Sequence, residues 1–428
     1  MFGYPYACWT VGTPDAESII RDRCRVAAIA YSGRRSGVWR RRHPSPSLVV
    51  FLAMFASQAG VLVLSPILSD IAEEFDVSVA RAGQVRVLAA PLAAVVALAA
   101  GRALARFSPR ALLLAGTVLL ALGSLASSIA PTFALLGIAQ IPMWAGIAIL
   151  IAAGVAATGA WSKPRERSRV VAHALAGPPL AWIVGMPVIG AAAEIDWRLA
   201  FVAVPLPAAV VAGIAAAARP SDSPLPGTRI SLAGILGRSV ARRWAVAELA
   251  ANSAWAGTLV FSGALFTEQY GLSTTTTGFL LALIAAAYLG GNQLAGRSDP
   301  ARARRAMLEW TFAASVAVAV TWAYTPSAVV TTFLFALAAF VAATRTVAGT
   351  VYGFSIAGDL SREVGSIRAM TSLMGYLIGS LAGGAALATA DFKALSVVFG
   401  GLFLLATVPY ACFRASCRAA RDATTVAA

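Results

Sequence analysis

The chain reads as an all-α integral membrane protein with twelve transmembrane helices in two pseudo-symmetric six-helix bundles. Three observations predict this class. Of 428 residues, 59% are hydrophobic and 12% charged, with a mean hydropathy of +0.75, whereas soluble domains carry about 25% charge. Leu48–Ser69, Leu199–Ala218, Ala369–Ala390 and Ala394–Phe413 hold no charge, and each reaches the ~20 residues a helix needs to cross a bilayer. Finally, the halves repeat. Asp196-Trp197-Arg198-Leu199-Ala200 returns 195 positions later as Asp391-Phe392-Lys393-Ala394-Leu395. The same offset carries Phe75, Ser78 and Gly83 onto Tyr270, Ser273 and Gly278, and Gly101-Arg102 onto Gly296-Arg297. Weak symmetry between two apolar halves is the pattern of secondary transporters, whose solute site lies between the repeats.

The elements follow in order. The predicted spans of the first half are 48–69, 80–101, 111–130, 132–156, 170–192 and 199–218. Ala111–Ser162 is uncharged throughout, so it holds two of them, with a turn near Ala130-Pro131-Thr132. The second half gives 244–266, 277–296, 306–323, 327–350, 367–389 and 394–413. Strand-like alternation of polarity is absent from these runs, which argues against a membrane β-barrel. The domain organisation is therefore a tail at 1–46, a bundle at 47–218, a connector at 219–243, a bundle at 244–413 and a tail at 414–428. The connector is rich in Pro, Ser, Gly and Arg and reads as a loop. Residues 1–46 read as a disordered cytoplasmic tail, since no apolar core of signal-peptide type precedes Arg34, Arg35 and Arg40–Arg42.

Charge sets the orientation. The 34 Lys+Arg outnumber the 19 Asp+Glu, but the excess lies in alternate loops. Arg102, Arg106 and Arg110 fall between spans 2 and 3, and Lys163, Arg165, Arg167 and Arg169 between spans 4 and 5. Arg219, Arg229, Arg238, Arg242 and Arg243 fill the connector, and Arg297, Arg302, Arg304 and Arg305 follow span 8. The opposite loops carry Asp70, Glu73, Glu74, Asp76, Glu194, Asp196, Glu268 and Asp391. Positive loops stay in the cytoplasm, so a multi-pass protein of the cell membrane with both termini cytoplasmic is expected. The net charge of +15 is then a topology signal and an attraction to anionic lipid, with no call for a nucleic-acid partner. Cys8, Cys24, Cys412 and Cys417 lie near the ends on the reducing side, where disulfides are not expected.

Gly185-Met186-Pro187-Val188-Ile189-Gly190, followed by Asp196-Trp197-Arg198 and Phe201, together with the layout of six plus six spans, resembles the major facilitator superfamily. Within it the likeness is to twelve-span bacterial drug and sugar efflux permeases of the proton-antiporter type. Members often show Gly-x-Pro-x-Gly in span 5 and Trp-Arg-x-x-Phe at the start of span 6. The resemblance covers roughly 48–415 and implies alternating access by two rocking bundles. Two departures stand out. The connector after span 2 keeps Gly101, Arg106 and Arg110 but has Ala105 where the family carries an acid that latches the cytoplasmic gate. The second copy offers Gly296, Arg297 and Asp299 as a substitute. Span 4 has Gly137 where the family carries an arginine linked to proton coupling.

Other groups must then bind or couple. An ionisable side chain inside a span costs about 2.5–3.5 kcal/mol at the bilayer centre and so faces a cavity or a partner. Arg86 should lie ~7.5 Å deeper along span 2 than Arg81, either facing the solute path or snorkelling to the surface. Arg345 in span 10 presents the same two alternatives. Glu248, just after Arg242 and Arg243, is expected to pair with them, with proton carriage the alternative. Gln58 and Asn252 are near symmetry mates in spans 1 and 7. Gln140 and Trp144 are one turn apart on span 4 and share a face; Trp182 and Trp255 add apolar walls. Such a pocket suits a hydrophobic or weakly polar organic solute. Gly185 and Pro187 interrupt span 5, where a bend or sliding contact would accompany alternating access, and Gly375, Gly379 and Gly383 let span 11 pack closely.

An enzyme is not expected. Two His and four scattered Cys give no metal-ligand spacing, and the chain's two Lys sit in no phosphate-cradling loop. No metal or cofactor is expected, only a proton gradient as energy source. The function predicted is proton-coupled efflux of a small organic solute (a drug-like compound, metabolite or sugar) by a monomer. Uptake by the same fold, or a receptor or scaffold without transport, are the alternatives.

Overall fold

A computed structural model describes residues 43–161, 170, 173–174, 176–224, 237–295, 302–357 and 361–410. The described residues from Pro44 onward belong to one compact unit. Among them ten helices are long and apolar enough to cross a membrane, and two shorter apolar helices, Ala89–Ala103 and Ala394–Tyr410, fill the remaining predicted places. Spans 1 to 6 are Pro46–Glu74, a broken span 2 ending in Ala89–Ala103, Pro109–Ser128, Phe133–Trp161, Gly177–Ile195 and Leu199–Ala217. Spans 7 to 12 are Ser239–Gln269, Thr274–Ala295, Ala303–Ala323, Ala328–Ala357, Ser361–Thr389 and Ala394–Tyr410. Residues 1–42 of the first proposed tail, 225–236 of the connector and the proposed tail at 414–428 lie outside the described residues.

Proline accounts for the breaks. Span 1 is α-helical over Pro46–Leu62 and Leu64–Glu74 with a turn at Val63, because Pro66 has no N–H for the carbonyl of Leu62. Span 6 breaks at Val204, ahead of Pro205 and Pro207. Span 2 has only Val79–Ala82 as helix before a run of turns through Gly83–Leu88, and Pro91 heads its second piece. Span 5 differs from expectation. Pro187 stays inside the helix Gly177–Ile195, so the segment is not interrupted.

The repeat is visible at the level of single hydrogen bonds. Asp196 Oδ1 accepts the Arg198 amide at 2.8 Å, and Asp391 Oδ1 accepts the Lys393 amide at 3.0 Å. Ser78 caps the Arg81 amide at 3.2 Å, and Ser273 caps the Thr276 amide at 3.3 Å. Asp76 (φ 48°) and Gly271 (φ 61°) take the same left-handed turn, which Asp tolerates and Gly favours. Each pair is 195 positions apart.

Between the bundles, span 5 packs on span 8, span 2 on span 11, and span 1 on span 7. Cross-bundle hydrogen bonds gather at the end carrying the acidic loops. Ser65 Oγ donates to the Leu259 carbonyl at 2.7 Å and lies 3.4 Å from Ser262 Oγ. Ser69 and Thr267 share a hydrogen bond of 2.7 Å, and Thr274 donates to the Gly190 carbonyl at 3.1 Å. Gly263 sits directly against the Ser65 carbonyl, where any side chain would collide. That end of the seam is shut. Within the second bundle Gly375, Gly379 and Gly383 face Asn252, Ser253 and Phe261, as the four-residue spacing predicts.

Candidate functional site

The site begins where span 2 leaves the α-helix. Between its two helical pieces the chain makes tight turns, with Gln84 N–H to Arg81 O at 3.0 Å, Val85 N–H to Ala82 O at 3.1 Å and Val87 N–H to Gln84 O at 2.9 Å. Arg86 sits in this break and is 2% exposed. Its Nη2 donates to the Gly60 carbonyl at 3.1 Å and its Nη1 to the Val61 carbonyl, both beside the break in span 1. Its Nε donates to Gln140 Oε1 at 3.3 Å, and Gln140 Nε2 donates in turn to Ser127 Oγ at 2.8 Å. The guanidinium lies 5.1 Å from the centre of the Trp144 ring. Arg86 therefore does not snorkel. It is held by one amide and two backbone oxygens, and among the described residues no carboxylate pairs with it. Gly137 lies beside the same break, facing the Val85 carbonyl.

The second bundle meets this group with aromatic rings. Tyr376 of span 11 stands edge-on to Trp144 with ring centres 5.3 Å apart, within electrostatic reach of Arg86 and Tyr288. Tyr288 of span 8 stacks on Trp255 at 5.7 Å and 18°, and its ring is 5.5 Å from Trp182 of span 5. Leu62, Ser65, Trp182, Trp255, Thr258 and Ser262 are among the walls of a cavity of about 10 Å³, room for about one water. Three indole N–H groups here, on Trp144, Trp182 and Trp255, are buried without a hydrogen-bond partner. Each leaves a donor desolvated at a cost of roughly 1–3 kcal/mol.

The other buried arginine is held differently. Arg345 is 1% exposed and Glu248 fully buried. Arg345 Nη2 lies 2.9 Å from Glu248 Oε1 as an ion pair off hydrogen-bond alignment, and its Nε donates to Thr311 Oγ1 at 3.2 Å. Arg368 Nη1 reaches Glu248 Oε2 at 3.2 Å, the Thr346 carbonyl at 3.2 Å and the Thr350 hydroxyl. Tyr288 hydrogen-bonds Thr346 and senses all three charges. The expected partners of Glu248 were Arg242 and Arg243, and that expectation is overturned. On a helix, positions five and six residues apart diverge around the axis, while spans 10 and 11 bring their arginines across to Glu248. Arg345 is likewise paired rather than snorkelling. Arg368 was missed because it opens span 11, where a cation reads as a loop charge.

Other candidates fall elsewhere. Asn252 Nδ2 donates to Thr371 Oγ1 at 3.2 Å, tying span 7 to span 11, and Gln58 is half-buried on span 1. Neither lines the cavity. Among the gate candidates, Arg110 Nε and Nη2 donate to the Ala216 and Ala217 carbonyls at 3.2 and 2.9 Å, capping span 6 of its own bundle. Arg106 is exposed and Gly101 half-buried, while Gly296, Arg297 and Asp299 lie outside the described residues. Gly185 faces Val204, and the backbone at Met186 and Pro187 meets Gly278 of span 8, a close contact at the bundle seam.

Solved structures share this architecture. A bacterial homologue of the human lysosomal transporter Spinster, inward-facing and unoccupied, superposes with a TM-score of 0.67 at 16% identity, covering 85% of this chain and 94% of that one. Its occupied inward-facing form gives 0.67 at 15% identity, over 87% and 96%. A D-xylose–proton symporter gives 0.67 at 14% identity, over 85% and 95%. No curated protein matches the sequence. The family model described as Major Facilitator Superfamily matches residues 50–361. With that match over most of its length and with this fold, the chain belongs to the major facilitator superfamily and is a multi-pass secondary transporter.

Proposed function

We propose that the protein is a proton-coupled exporter of a small organic molecule, working by alternating access across the cell membrane with its basic loops in the cytoplasm. The observation that carries this reading is the seam itself: buried Arg86, the unpaired indole donors and the aromatic rings of both bundles converge where the halves meet. Solute binding there would link the bundles, and parting of the hydroxyl contacts at the acidic end would open the path outward. Glu248, fully buried and joining span 7 to Arg345 and Arg368 of spans 10 and 11, is the carboxylate we assign to proton carriage. Its protonation would cancel both ion pairs and loosen spans 10 and 11 from span 7. Arg86, meeting Gln140 of span 4, supplies from span 2 a cation close to the place where Gly137 lacks one.

Everted membrane vesicles test the proposal. With an imposed pH gradient, addition of aromatic and sugar-like solutes should produce solute accumulation with proton release, and an uncoupler should abolish both. Saturable binding without flux, or accumulation indifferent to the uncoupler, would refute it.

A further inference from the structure

We infer that the solute is an organic anion bearing a planar aromatic part. The inference rests on the transporter reading above and narrows the ligand of that same site; it replaces the hydrophobic or weakly polar solute expected from the sequence. Among the described residues, positive charge beside the seam outnumbers negative charge. Arg86 has no carboxylate among the described residues. Among the described residues the Arg345–Glu248–Arg368 cluster sets two cations, the half-buried Arg368 being one, against one anion, within electrostatic reach of Tyr288 at the seam. A buried charge lacking its counter-ion is costly, and an arriving carboxylate, sulfonate or phosphate would relieve that cost. The indole groups of Trp144, Trp182 and Trp255, all unpartnered, are donors only, as is arginine. A cationic solute would be repelled by the arginines and would find no acceptor on the indole N–H groups, and a neutral one would leave the charges as they are.

The aromatic part follows from the walls. Trp144 with Tyr376, and Trp182 and Trp255 with Tyr288, form two ring clusters contributed by both bundles. A planar ring entering between them gains stacked or edge-on contacts of about 0.5–1.5 kcal/mol beyond its area burial. Opening of the seam admits it, since the closed cavity holds about 10 Å³.

The probes are 2-naphthoate, neutral 2-naphthamide and cationic 2-naphthylmethylammonium, titrated calorimetrically into the purified full-length protein. Naphthoate should bind at least about tenfold more tightly than the amide, a difference of about 1.4 kcal/mol, with the ammonium weakest. Arg86→Gln should remove the difference between naphthoate and the amide, and Arg86→Lys should restore part of it. Equal binding of acid and amide, a preference for the ammonium, or no naphthoate binding would overturn the inference; the wild-type panel decides this even where a variant fails to fold. Vesicle flux separates the two levels. Proton-driven export of neutral or cationic solutes alone would remove the anion and keep the exporter, whereas naphthoate binding without flux would do the reverse.

Discussion

Two buried arginines show how differently one fold can hold the same charge. Arg345 in the second bundle has its counter-ion built in, the Glu248 carboxylate shared with Arg368. Arg86 in the first bundle has, among the described residues, no carboxylate, only the oxygen dipoles of Gly60, Val61 and Gln140 and the face of the Trp144 ring. A hydrogen-bonded but uncompensated cation in low dielectric stays under electrostatic tension, whereas a paired one is closer to balance. The paired site therefore contributes to cohesion of its bundle, and the unpaired site is the one with free energy left to gain from a ligand.

The comparison can be broken by substitution. Glu248→Gln strands two arginines at once, and thermal unfolding in detergent should show a loss of about 3–5 kcal/mol, the usual cost of removing one partner of a buried pair. Thr311→Val removes only the hydroxyl bonded to Arg345 Nε and should cost about 0.6–1.7 kcal/mol, the range for polar contacts between membrane helices. Arg86→Gln should change stability least, by under about 1 kcal/mol, because relief of an uncompensated charge offsets three lost hydrogen bonds. If Arg86→Gln proved as damaging as Glu248→Gln, the distinction between the two sites would fall.

Much of the fold was legible in the sequence because the bilayer imposes a one-dimensional rule: about 20 uncharged residues make a crossing. The half-repeat was legible too, since the Asp196 and Asp391 turns need an aspartate at that position for their side-chain hydrogen bonds. Gln140 and Trp144 were found together by helical spacing, and both touch Arg86. What escaped were relations between helices. Tyr288 and Tyr376 sit in apolar runs with no periodic mark, and only the meeting of the bundles makes them neighbours of Trp255 and Trp144. Glu248 was assigned the arginines nearest in the chain, because sequence distance says nothing of which spans cross a given face. The depth of Arg86 was readable, but that the breaks in spans 1 and 2 lie side by side, so that Arg86 reaches the Gly60 and Val61 carbonyls, is a relation between helices.

The closed end of the seam is fastened by hydroxyls: Ser65, Ser69, Ser262, Thr267 and Thr274. A neutral hydroxyl gives up a protein acceptor for a water molecule at a net expense of only about 0.5–1.5 kcal/mol. Such a clasp parts as readily as it forms, bond traded for bond with the solvent that floods in. A fastening of this kind suits the alternating access proposed for the protein, since it leaves neither position of the bundles as a trap.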